Sequence, residues 1–205
     1  MHFNNHLEDK IARCELAIAY VFNSKIFCAE ALNAAGDVNA LYGSNGTVRR
    51  LSKNDRLAVY GDIVAAQSLC RHWYYSGLGK GAWTNIRNEA LGNISLAETG
   101  FSHNLDNCVT ANSGTARISE KMMATAVEAI LGAVHMDGGD DALAGVMRHL
   151  GMVDPLNESV TSKYPTLERF SVQIRCDLLT LTCIGPFRKR PKVLFFGNNN
   201  FPLRV

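Results

Sequence analysis

The chain has 205 residues, 47% of them apolar and 20% charged, with a formal net charge of +2. That length suits one ordinary domain with or without an extension, and the composition is that of a soluble globular protein rather than a collagenous or low-complexity chain. A charge this small does not announce a nucleic-acid binder, and no apolar run approaches the ~20 residues of a membrane span.

The first element expected is a helix over Leu7–Val21, with Leu7, Ile11, Leu16, Ala19 and Tyr20 near helical period. Asn5 stands where an N-cap belongs, and Asp9 lies in the first turn. A second, short helix over Phe27–Ala35 is closed by Gly36, and Asn39–Lys53, with Gly43, Ser44, Asn45 and Gly46, contains a loop. Ser52–Tyr75 gives the strongest helical signal. Ser52 is its expected cap, Asp55 follows at N3, and Leu57, Tyr60, Val64, Leu69 and Trp73 form the apolar face. Gly61 sits inside this helix at a cost of roughly 1 kcal/mol against alanine, which points to the close approach of another backbone.

Two short helices follow, Trp83–Gly92 and Ser95–Phe101, and then a loop over Asn104–Ala116. Ser119 caps a long helix through Met136 whose stripe is Met123, Val127, Ile130 and Val134. Asp137-Gly138-Gly139 stops it, and Asp140 opens a last helix through Leu150. Beyond Pro155 the character changes to strand-like runs, Asp177–Ile184 and Lys192–Phe196, separated by Pro186 and Pro191. An all-α domain over 5–152 with a basic C-terminal extension over 153–205 is therefore expected. From Thr161 onward eight Lys or Arg face two acids, so this tail carries +6 and the rest of the chain −4. The six cysteines show no C-x-x-C spacing, which suggests buried free thiols in a reducing compartment rather than zinc. Met1–Lys10 lacks the apolar stretch of a secretory signal, so an intracellular, non-membrane location is expected.

On the two long helices, Asp55 and Asp62 are seven residues apart and share a face, while Glu128 lies off the apolar stripe of the later helix. If those helices pack side by side, Asp62 and Glu128 meet, and converging carboxylates suit Mg²⁺. Acids on the polar face of a helix are also commonly just solvated.

The segment from Asn54 to Val64, N-D-R-L-A-V-Y-G-D-I-V, resembles the ribonuclease III signature N-E-R-L-E-F-L-G-D-A-V. The segment from Glu128 to Gly139, E-A-I-L-G-A-V-H-M-D-G-G, resembles the second motif of that family, E-A-L-I-G-A-I-Y-L-D-G-G. Order, interval and the intervening short helices from Ile86 to Val109 also fit, so the resemblance covers Leu7–Leu150. It implies a helical endonuclease domain that cuts double-stranded RNA as a dimer, using Mg²⁺ or Mn²⁺ held by four acids. Carried over residue by residue, two acids are present, Asp62 and Glu128, which the resemblance makes metal ligands and catalytic groups. Asp55, at the front of the signature, is the third catalytic candidate. The other two acid positions hold Ala58 and Thr125, and the aromatic that packs across the family's dimer is Val59. For RNA contact the candidates are Lys80 and Arg87 in the body and Arg188, Lys189 and Arg190 in the tail, where no double-stranded RNA-binding domain is recognisable. Two functions remain open: an endoribonuclease acting on double-stranded RNA with Mg²⁺, or a catalytically inactive module for dimerisation or RNA binding, as a homodimer, a heterodimer or part of a ribonucleoprotein.

Overall fold

A computed structural model describes residues 5–35, 40–44 and 47–152; the expected extension over 153–205, with its strand-like runs and its basic cluster, lies outside them. Among the described residues six α-helices appear in the order α1 (Asn5–Ile18), α2 (Lys25–Ala31), α3 (Asp55–Ser76), α4 (Lys80–Leu91), α5 (Asn93–Ser102) and α6 (Glu120–His149). Between α2 and α3 lie two short strands, β1 (Leu41–Ser44) and β2 (Thr47–Arg50), paired antiparallel with Leu41 opposite Arg50. This hairpin lies within the segment expected to contain a loop, and the strands themselves were not expected. Its signal is faint because only Tyr42, Thr47 and Val48 carry strand-favouring side chains, with Gly43 and Gly46 among them. Among the described residues, no helix is long and apolar enough to cross a membrane.

The centre of the body is α6, which packs against α2, α3 and α5. The expected stripe of Met123, Val127, Ile130 and Val134 is buried, but so are Ala124, Ala126, Ala129, Leu131, Gly132 and Ala133. A helix with so wide a buried face lies at the centre of the core, and its small residues make room for neighbours on several sides. Ser119 caps it as expected, its Oγ accepting from the Met122 amide at 3.3 Å. The stop expected at Asp137-Gly138-Gly139 is present inside α6: Gly139, with φ of 74° and ψ of −164° open to glycine, breaks the helical backbone there, and a second helical stretch follows it to His149.

Asp137 has a second use that motif reading does not reveal. Its carboxylate accepts from the Tyr20 hydroxyl at 2.8 Å and from the amides of Asn23 and Ser24 at 2.8 and 2.9 Å. Ser24 is the N-cap residue of α2, so one side chain ties the α1–α2 turn to α6. Burial and that neighbouring charge push the Tyr20 phenol up to about 12.

Helix α3 begins later than its sequence suggested. Asn54, not Ser52, is the N-cap, and its side chain makes no capping bond. Instead, the buried Asn54 Nδ2 donates to the Ala31 carbonyl at 3.1 Å, and Asn33 Nδ2 donates to the Ser52 carbonyl at 3.0 Å. Two buried asparagines thus fasten the end of α2 to the start of α3, satisfying backbone groups that would otherwise be stranded. The expected thiols are free at Cys14, Cys28, Cys70 and Cys108, and all but Cys70 are buried; Cys176 and Cys183 lie outside the described residues.

Candidate functional site

The site is built where α3 crosses α6. A Cβ placed on Gly61 would lie 1.8 Å from the Glu128 carbonyl oxygen and 2.9 Å from the Gly132 amide nitrogen. One placed on Gly132 would lie 2.5 Å from the Leu57 carbonyl oxygen. Facing glycines therefore let the two backbones touch, as the lone glycine in α3 had suggested. Asp62 follows Gly61, so this contact carries its carboxylate beside Glu128.

Both side chains are partly exposed at the rim of the core. The Glu128 carboxyl is held above its ordinary range, first by burial and then by the negative charge of Asp62, against the opposing pull of Arg87. Arg87 reaches in from α4, its Nη2 lying 3.2 Å from both Asp62 Oδ1 and Oδ2. The guanidinium expected to meet RNA is thus engaged with the candidate metal ligand.

The remaining candidates do not complete a cluster. Asp55 stands two turns before Asp62, about 10 Å along the helix axis. It is exposed and pairs with Lys53 at 2.9 Å. Ala58, where the family has an acid, is 3% exposed and offers no donor atom. Thr125 brings a hydroxyl at most. Lys80 is exposed at the start of α4, while Arg188, Lys189 and Arg190 lie outside the described residues. Among the described residues, no group of three or more His, Cys, Asp or Glu side chains is placed to hold a metal ion. A divalent ion of the Mg²⁺ type takes several oxygen ligands and favours carboxylates. Two carboxylates, one already bound by a guanidinium, are a poor match for it.

Sequence reading missed the exposed Arg49 and Arg50 on β2; the adjacent arginines were visible, but the strand presenting them was not. It also missed a polar chain behind the site. The Tyr60 hydroxyl lies 2.7 Å from His135 Nδ1, His135 Nε2 lies 2.9 Å from Asp140 Oδ1, and Arg71 Nη2 donates to Asp140 Oδ2 at 3.2 Å. This chain bridges α3 and α6 a turn or two from the glycine contact.

Residues 55–139 match the family model of the ribonuclease III domain. Ribonuclease 3 of Symbiobacterium thermophilum is 30% identical over 148 residues, covering 69% of this chain and 60% of the relative. Ribonuclease 3 of Colwellia psychrerythraea is 24% identical over 174 residues, covering 80% of this chain and likewise 60% of the relative. The chain thus spans about 60% of the length of these curated relatives. Two structures of the nuclease domain of ribonuclease III from Campylobacter jejuni share the fold. One, described for flexibility in a region involved in dimer formation, has a TM-score of 0.56 at 21% identity, covering 68% of this chain and 95% of the other. The second has a TM-score of 0.53 at 20% identity, covering 76% and 98%. With the α3 and α6 motifs inside the matched region, residues 55–139 carry a ribonuclease III domain, and the described body has the fold of that family's nuclease domain.

Proposed function

We propose that this domain is a ribonuclease III-fold module that binds duplex RNA and pairs with a second domain of its kind without performing metal-dependent hydrolysis. The observation that carries this reading is the composition of the acid site. Two of its four positions are Ala58 and Thr125, and both oxygens of Asp62 lie on Arg87. Members of the family use a divalent metal ion. The residues here do not fit Mg²⁺ or Mn²⁺ as such a site requires.

Two surface features support the binding and pairing roles. Duplex RNA is met through its phosphates and 2′-hydroxyls, which calls for accessible Lys and Arg. Arg49, Arg50, Arg56 and Lys80 are exposed on the body. On α3, Val59 and Ile63 are 66% and 58% exposed, one turn apart on the same face. With Arg56 and Gln67 also exposed at the ends of that line, the face has an apolar centre and a polar rim, as a docking surface does.

The test is a labelled RNA duplex incubated with the full chain in Mg²⁺, in Mn²⁺ and in chelator, with each sample read on native and denaturing gels. Shifted but intact duplex in all three is the expected result. Metal-dependent products that disappear in Asp62→Asn would replace this reading with an endonuclease that works through Asp62 and Glu128.

A further inference from the structure

The pairing of Arg87 with Asp62 joins residues from different elements, α4 and α3, and Glu128 comes from a third, α6. The guanidinium nitrogen is equidistant from the two Asp62 oxygens at 3.2 Å, and the Arg87 charge also acts on Glu128. One permanent cation thus pairs with Asp62 and offsets part of the charge beside it at Glu128. In sign it does part of what a metal ion does at such acids. Arginine is suited to this because its guanidinium stays charged at every accessible pH and spreads its donors in a plane.

We propose that Arg87 is the resident cation of this site, taking the place of a divalent ion at Asp62, on the side of the core that also carries Glu128, and excluding one from it. The consequence is a site that is electrostatically complete without metal. An incoming divalent cation has to displace the guanidinium from Asp62 and then sit near it. The pair is partly exposed, with side chains 42% and 35% accessible, so the pairing alone is worth no more than about a tenfold factor. Repulsion between the guanidinium and a doubly charged ion adds to that factor, and the missing oxygens at Ala58 leave little to oppose it. Arg87 also lets two like charges coexist at the point where the α3 and α6 backbones touch.

This inference takes from the proposed function only the identity of the site, and its test reads the ion rather than the cut. The full chain is titrated with Mn²⁺ and free ion is followed by electron paramagnetic resonance, for the natural sequence, Arg87→Met, and Arg87→Met combined with Asp62→Asn. The natural chain is expected to show no Asp62-dependent site. Arg87→Met is expected to gain one at least about tenfold tighter, and the double variant to lose it. Arg87→Gln, which keeps an N–H donor for Asp62 without the charge, is the second variant, with folding followed by circular dichroism. If both single variants unfold without metal, recovery of the fold on adding Mn²⁺ supports the proposal and failure to recover overturns it. A natural chain that binds Mn²⁺ through Asp62 as tightly as Arg87→Met, or a folded Arg87→Met that gains nothing, also overturns it. An intact duplex in the cleavage assay would still leave the holding function standing in that event.

Discussion

Replacing Gly61 with alanine puts the architecture of the site to a quantitative test. In an ordinary helix interior the change stabilises by about 1 kcal/mol, because alanine loses less backbone freedom. Here the new methyl would lie 1.8 Å from the Glu128 carbonyl oxygen, short of ordinary contact at 3.4 Å by about 1.6 Å. The obstacle is backbone in a buried helix, with the Gly132 nitrogen also within 2.9 Å, so no side chain can swing aside. The helices must part, and overpacking of this kind costs about 3 kcal/mol or more. Set against the helical gain, the net loss is about 2 kcal/mol, or roughly 4–8 °C in Tm for a domain of this size. Gly145→Ala is the control: it lies in the same α6, is exposed, and its added Cβ meets nothing within 4 Å. It is expected to gain up to about 1 kcal/mol. Urea denaturation of both variants beside the natural chain gives the two signs. A Gly61→Ala protein as stable as its parent would mean that α3 and α6 do not touch at this point, and the juxtaposition of Asp62 and Glu128 would fall with it.

Other outcomes follow from the same contacts. Asp137→Ala removes acceptors from the Tyr20 hydroxyl and two amides and is expected to cost about 2–3 kcal/mol, with Asp137→Asn between it and the natural chain by thermal melting. Because Tyr20 is held up to about 12 when folded, against 10.0 ordinarily, the unfolded chain loses that proton first. Stability therefore falls as pH rises above about 10, and Tyr20→Phe should flatten that alkaline slope. The raised Glu128 carboxyl has the corresponding sign: its ionisation opposes folding as pH climbs past the ordinary value of 4.5. Glu128→Gln is expected to be the more stable protein near neutrality, with the advantage vanishing below that value in a pH series of melts. If Arg49 and Arg50 meet phosphates, replacing both by serine lowers duplex-RNA affinity and reduces the salt slope of binding by about 2, measured by filter binding across salt concentrations.

Much of the frame was legible from residues alone. The 3.6-residue period located α3 and α6, and Gly61 announced the contact between them, because a glycine inside a strong helix needs a reason. What stayed hidden were features that depend on partners distant in the chain. Ser52 looked like a cap, but Asn54 holds that place and spends its side chain on Ala31, a choice visible only once α2 is packed beside α3. The hairpin over β1 and β2 carried too few β-branched residues to register. Asp137 read as part of a helix stop because its hydrogen-bond partners lie more than a hundred residues away. The site was legible in part as well. The motif frame identified Ala58 and Thr125 as acid positions without acids, while no spacing rule placed Arg87 on Asp62. Arg87 was instead expected at RNA, which is the usual task of an arginine on a nuclease surface.

The proposed role of this domain is to hold duplex RNA without cutting it. It is tested most directly under single-turnover conditions, with protein in large excess over an end-labelled duplex, in Mg²⁺ and in Mn²⁺ over many hours, beside Asp62→Asn. Duplex that is bound throughout and equally intact with either protein is the expected result. Metal-dependent fragments that accumulate with the natural chain and are absent with Asp62→Asn would contradict it.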